Sequence, residues 1–150
     1  MRTFVDTNIL IYAHDIDAGR KQDIAKAALR DLWTERTGVL STQVLQEFYV
    51  QATRASRGDR LSHDQAVLLI ESFRLRFPVQ DITVPLLHAA LATAARFRIS
   101  YRDAAIVEAA RLRACAIVLS EDLAHDQDFA GVRVHDPFRA PRRGRRARQS

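Results

Sequence analysis

The chain has 150 residues, of which 47% are hydrophobic and 27% charged, with one cysteine and a formal net charge of +5. That length suits one domain around one core, and the balance is that of a soluble globular protein rather than a disordered or fibrous chain. No apolar run reaches the roughly 20 residues needed to cross a bilayer, and Asp6 would interrupt any signal-peptide core, so no membrane association and a cytoplasmic location are expected.

The positive charge is local. Six arginines and no acid lie between Arg139 and Ser150, which leaves 17 bases against 18 acids in residues 1–138. The expected division is a near-neutral domain over 1–138 and an arginine-rich, disordered tail over 139–150. Such a tail either attracts phosphates or is simply a solvated terminus. Cys115 cannot form an internal disulfide, and its apolar surroundings, Ala114 to Leu119, make it core filling rather than a nucleophile.

In chain order, Phe4-Val5-Asp6-Thr7-Asn8 reads as a buried strand ending in a carboxylate, with a short helix from Ile9 to Ala13. Lys21 to Arg36 follows helical spacing through Ile24, Ala28, Leu29 and Leu32, with Gly38 as its stop. Val39-Leu40 is a short strand, and Ser41-Thr42 caps a helix to about Ala55. His63 to Phe77 is amphipathic. Pro78 to Ile82 is a short strand; Thr83 caps a helix with Pro85 in its first turn, continuing to Phe97. Ser100 to Arg113 is a helix rich in alanine. Ala116 to Leu119 is a strand buried on both faces. Ser120 to Phe129 reads as a polar loop, and Gly131 to His135 as the last strand. Strands alternate with helices and no two-residue turn joins a strand pair, so a parallel sheet with helices on both faces is predicted.

Four carboxylates stand out, each with an ordinary alternative. Asp6 and Asp103 could be helix caps, the second within the capping-box pattern Ser100-Tyr101-Arg102-Asp103. Asp122 could be a loop residue. Glu47 is harder to explain, because it sits beside Val44 at the edge of an apolar helix face, where a carboxylate needs a partner. A doubly wound sheet could bring all four to the carboxyl ends of its strands, where ligands bind. Grouped acids repel, and a divalent cation relieves this; oxygen ligands suit Mg²⁺ or Mn²⁺. On that reading, removing one charge by Glu47→Gln should leave the metal-free protein as stable or more so. If Glu47 instead satisfies a buried arginine, the same change should destabilise it.

The chain contains no GxxxxGK[ST], GxGxxG or GxSxG, and its five histidines have no zinc spacing. His125 lies near Asp122 and reads as a surface histidine more readily than a substrate contact.

Val5-Asp6-Thr7-Asn8, Gln46-Glu47-Phe48, Ser100-Tyr101-Arg102-Asp103-Ala104 and Leu119-Ser120-Glu121-Asp122 together resemble the four acidic motifs of PIN-domain nucleases. They look most like VapC-type toxins of bacterial toxin–antitoxin pairs. The resemblance covers about residues 1–138. It implies an α/β PIN-like domain with a parallel five-stranded sheet between helices, and RNA cleavage with Mg²⁺ or Mn²⁺. It also implies a homodimer held inactive by a small antitoxin. Carried over by position, Asp6, Glu47, Asp103 and Asp122 would be the catalytic and metal-site acids, with Thr7, Asn8 and Ser120 orienting them. Asp126 and Asp128 have no place in this pattern, nor has the arginine tail.

Two other classes remain. One is a non-catalytic module of the same fold that binds RNA or protein, which a missing motif acid would favour. The other is a phosphotransfer fold with an aspartyl nucleophile. A phosphatase of that kind needs a second Asp where this chain has Asn8. A receiver domain needs a late lysine, and the only lysines are Lys21 and Lys26.

Overall fold

The computed structural model describes residues 1–139. The expected arginine-rich tail, apart from Arg139 itself, lies outside the described residues. In chain order the elements are β1 (Arg2–Val5), α1 (Thr7–Ala13), α2 (Arg20–Glu35), β2 (Gly38–Ser41), α3 (Thr42–Ala52) and α4 (His63–Arg76). They continue with β3 (Val79–Gln80), α5 (Val84–Phe97), α6 (Tyr101–Leu112), β4 (Cys115–Leu119), β5 (Asp128–Phe129) and β6 (Val132–His135).

The sheet runs β3-β2-β1-β4-β6-β5. Every neighbouring pair is parallel except β5 with β6. The expected parallel α/β sheet flanked by helices is therefore present, with a sixth, antiparallel strand at one edge. The segment read as loop up to Phe129 ends in that strand. Ala130 and Gly131 make the two-residue turn that the sequence reading excluded, with φ of 53° and 100°. Two consecutive left-handed residues suit the twist of a tight hairpin, and the Asp128 carboxylate accepts a hydrogen bond from the Gly131 N–H at 2.8 Å.

Both edge strands are two residues long, which limits unwanted pairing, and arginines from the end of α6 hold them. Arg111 donates to the carbonyls of Phe129 and Ala130 at 2.6 and 2.8 Å, and its Nε pairs with buried Glu108 at 3.0 Å. Arg113 donates to Val79 O at 2.9 Å.

The core is built on the central strands. Phe4, Val5, Leu40, Val39 and Val118 have almost no exposed surface, and Ile9, Leu10, Phe48, Ile106 and Val107 pack on them from the helices. Burial on both faces goes with the apolar ends of the strands, Phe4-Val5 in β1 and Val118-Leu119 in β4, while Ala116 and Ile117 are only half-buried, so the expected burial of the whole Ala116–Leu119 run holds in part. Cys115 is buried here, and burial pushes its thiol up to about 11, consistent with core filling. The helices end as local chemistry dictates. Ser41, Thr83 and Ser100 each accept a backbone N–H at an N-terminus, and Ser62 with Gln65 forms a full capping box. Gly38 does not stop α2, which ends at left-handed Arg36. Its role is clearance: a Cβ at Gly38 would lie 2.7 Å from the Phe77 ring.

Chain direction reverses around β1. From β1 the chain steps outward through β2 to β3, then returns to place β4 on the other side of β1. The carboxyl ends of β1 and β4 are the switch point where such sheets bind ligands.

His14, at the end of α1, packs edgewise against the Phe48 ring and at a tilt against the Phe73 ring, at centroid distances of 6.3 and 5.6 Å. Burial lowers its pKa from the ordinary 6.5, and the charges of Lys26 and Arg76 lower it further. The folded protein thus holds the ring neutral, and the unfolded chain takes up a proton first as pH falls. This part of the stability is present above pH 6.5 and is lost as pH falls through the lowered value. The melting temperature should accordingly drop between pH 7.5 and 5.5, and His14→Phe should shrink that drop. An equal drop in the variant would assign it to other groups.

Candidate active site at the switch point

Asp6 follows β1 directly and has no exposed surface. Its N–H donates to Leu119 O at 3.0 Å, which binds the end of β1 to the end of β4. It is the N-cap of α1, accepting the Thr7 N–H on Oδ1 at 2.7 Å. Ser120, the first residue after β4, donates its hydroxyl to Asp6 Oδ2 at 2.7 Å. The same hydroxyl oxygen accepts the N–H groups of Asp122 and Leu123 at 3.1 and 3.3 Å. One buried serine therefore fixes the first carboxylate and shapes the turn that carries the last one.

Glu47 reaches the site from mid-α3. Its Oε1 accepts the Thr7 hydroxyl at 2.7 Å. Asp103 arrives from the first turn of α6. Ser100 caps its backbone N–H at 3.1 Å, while its own carboxylate turns to the site, so only half of the expected capping box forms. Asp122 is exposed and held by Asn8, whose amide donates to Asp122 Oδ2 at 3.2 Å. The Asn8 carbonyl accepts the Glu121 N–H at 3.3 Å.

Arg102 joins the first three acids. Its guanidinium bonds Asp6 at 2.7 and 3.3 Å, Glu47 at 2.7 and 3.1 Å, and Asp103 at 3.1 Å. Its side chain is 30% exposed. Burial lowers the pKa of Arg102, but hydrogen bonds and charge from Glu47 and Asp6 outweigh it and raise the net value. Burial likewise raises that of Glu47, and the hydrogen bonds from Arg102 and Thr7 bring it net below the ordinary 4.5. The repulsion expected among the acids is therefore compensated within the chain. Sequence reasoning placed the acids without assigning a role to this arginine. The signal was a lone base, Arg102, beside one of four acids that otherwise have no basic neighbour in their motifs.

A model of the PIN domain matches residues 3–130. The chain belongs to the PIN-domain family. Solved structures show the same fold at low identity. A toxin–antitoxin complex from Klebsiella pneumoniae is 23% identical, with 92% of this chain and 99% of that one covered and a TM-score of 0.63. A DNA-bound VapBC from Salmonella typhimurium is 18% identical, with 91% and 98% covered and a TM-score of 0.66. The Mycobacterium tuberculosis toxin VapC20, which cleaves the sarcin–ricin loop, is 21% identical, with 80% and 89% covered and a TM-score of 0.60. Among curated proteins, none matches the chain.

Other polar groups near the site of this PIN domain are structural. Glu121 accepts the Tyr12 hydroxyl at 2.6 Å and pairs with Lys21, whose ammonium lies over the Tyr12 and Phe138 rings. That cluster pins the Asp122 turn to α1 and α2. His125 accepts the Asp136 N–H at 3.0 Å, so its ring shapes a loop. Asp128 stabilises the hairpin turn, and Asp126 pairs with β6 through its backbone, bonding Val134 O at 3.0 Å. The two acids outside the motif pattern thus build the last loop. Among the described residues, the group of carboxylates close enough together to share an ion is Asp15, Asp17 and Asp59 rather than the motif acids, and Arg57 is already paired to Asp15 and Asp59.

Proposed function

We propose that this PIN domain is a divalent-metal-dependent endoribonuclease and the toxin of a toxin–antitoxin pair. PIN domains are generally nucleases. The observation that carries the reading for this chain is the convergence of Asp6, Glu47 and Asp103 on one cationic group at the switch point, with Asp122 tied in through Asn8 and Ser120.

The donor set fits a hard divalent cation. It offers carboxylate oxygens, and the Arg102 guanidinium is a stand-in that marks where positive charge is stabilised. Asp6 and Asp103 would hold Mg²⁺ or Mn²⁺, with Glu47 and Asp122 completing the site or orienting the attacking water. When bound, such an ion supplies charge against the scissile phosphate and an acidified water. Thr7 and Ser120 fix the carboxylate planes of Glu47 and Asp6, and Asn8 holds Asp122. None of these roles needs a histidine base, and His125 is engaged elsewhere. All four motif acids are present, which favours catalysis over a non-catalytic RNA- or protein-binding module.

Similar folds solved as toxin–antitoxin complexes support a small antitoxin as partner. A homodimer is the assembly that the family resemblance implies. Among the described residues, no helix is long and apolar enough to cross a membrane. The purified protein should cleave RNA in Mg²⁺ or Mn²⁺ and stop in EDTA. Undiminished cleavage in EDTA, by protein free of contaminating nuclease, would overturn the metal reading.

A further inference from the structure

An ionised carboxylate offers about four lone-pair positions to donors or cations. At Asp6 all four are taken. Oδ1 accepts from Thr7 N and from Arg102 Nη2, both at 2.7 Å. Oδ2 accepts from the Ser120 hydroxyl at 2.7 Å and from Arg102 Nη1 at 3.3 Å. The bond from the Thr7 N–H is Asp6's N-cap of α1 and the Ser120 hydroxyl organises a turn, so neither can leave without unmaking local structure. The two bonds from Arg102 are the removable ones. At Glu47 the case is similar: Oε1 holds Thr7 and Arg102, and Oε2 holds Arg102.

Arg102 is also placed where it can move. It is the second residue of α6, with its backbone carbonyl held by the Gln43 amide at 3.2 Å. The side chain is 30% exposed and can turn outward while the helix stays in place. A helix N-terminus disfavours positive charge, so the carboxylates are what keep the guanidinium there.

We infer that Arg102 is the counter-ion that a divalent cation must displace from Asp6, so that guanidinium and ion occupy the same carboxylates by turns. Arg102 is in this sense a positioning residue that sets the affinity of the site. The inference rests on the metal reading above and adds to it a competitor within the chain.

Mn²⁺ binding to the full chain, followed by the electron paramagnetic resonance of the free ion, tests it. A charge-assisted hydrogen bond of this kind corresponds to about tenfold or more in an equilibrium constant. Arg102→Met should therefore bind Mn²⁺ about tenfold more tightly than wild type, and melt at a lower temperature in EDTA. Arg102→Lys, which keeps the charge and loses the planar fork, should fall between them. If Arg102→Met does not fold, the lysine variant decides: tighter binding than wild type supports displacement, and equal or weaker binding overturns it. Equal affinity in wild type and Arg102→Met, abolished in Asp6→Asn, would overturn displacement and leave the metal reading intact. Absence of saturable Mn²⁺ binding in every protein, with cleavage persisting in EDTA, would overturn both.

Discussion

Asp6→Asn should destabilise the protein strongly and cut RNA cleavage at the same time. The side chain is fully buried and ties together Thr7, Ser120 and Arg102. An amide cannot accept from both Arg102 and Ser120 on all its positions, and it leaves the guanidinium without one of its two bidentate partners, the other being Glu47. Breaking a buried pair from one side costs about 3–5 kcal/mol; with Arg102 30% exposed, the low end, about 3 kcal/mol, is expected. For a domain of this size that lowers the melting temperature by about 6–12 °C. If Asp6 holds the proposed metal, RNA cleavage should fall by more than about 100-fold, because even residues that only orient metal ligands are worth 10–100-fold. Thermal melts and a cleavage assay on the same preparation check both. A variant as stable as wild type would mean that the Asp6–Arg102 contact does not persist in solution.

Glu47→Gln comes second, and the structure reverses the sign drawn from sequence. Seen as one of four repelling acids, Glu47 should have been no loss to the metal-free protein. Paired with Arg102 at both oxygens, it is a loss. Replacing it removes the charged half of two hydrogen bonds, worth about 2 kcal/mol for a group of this burial, or about 4–8 °C in melting temperature. The Glu47 pKa is depressed in the folded state. Its contribution is thus full above the ordinary value of 4.5 and disappears as pH falls through the depressed one. Melts of wild type and variant in EDTA should differ at pH 7 and converge in acid. No difference at pH 7 would restore the repulsion argument. Cleavage should drop by orders of magnitude in either case if Glu47 serves the metal site. The two alternatives posed from sequence, an acid cluster or an arginine partner, were not exclusive: the arginine is inside the cluster.

The strands and helices were legible because their causes are local. The apolar pair Phe4-Val5 marked β1 and the apolar run to Leu119 marked β4, and Ser41, Thr83 and Ser100 marked three helix starts. The two-residue β5 carried no such signal, unlike β3, which lay within the predicted Pro78–Ile82 strand. Asp128–Phe129 is recognisable only from its pairing with Val132 and Arg133, a contact decided by the hairpin turn rather than by β propensity. The site divides the same way. Asp6 and Asp122 could be placed from the strands they follow. The Arg102 fork could not, because a charged residue in the first turn of a helix reads as solvated until α1 and α3 are laid beside it.

The ladder between β1 and β4 has a further consequence, for the chain lengths evolution can sample. Its register is irregular at the start, where Arg2 faces Cys115 but Thr3 faces Ile117, and regular from there to Val5 and Leu119. Asp6 and Ser120 meet because of that regular stretch. An inserted or deleted residue near Ala116 can be absorbed where the ladder is already uneven. One between Ile117 and Leu119 would bring Leu119 or Glu121 against Asp6, and neither can supply the serine hydroxyl. Natural variation in length should therefore stop short of Ile117 to Leu119, where one residue more or less would part Asp6 from the Ser120 hydroxyl.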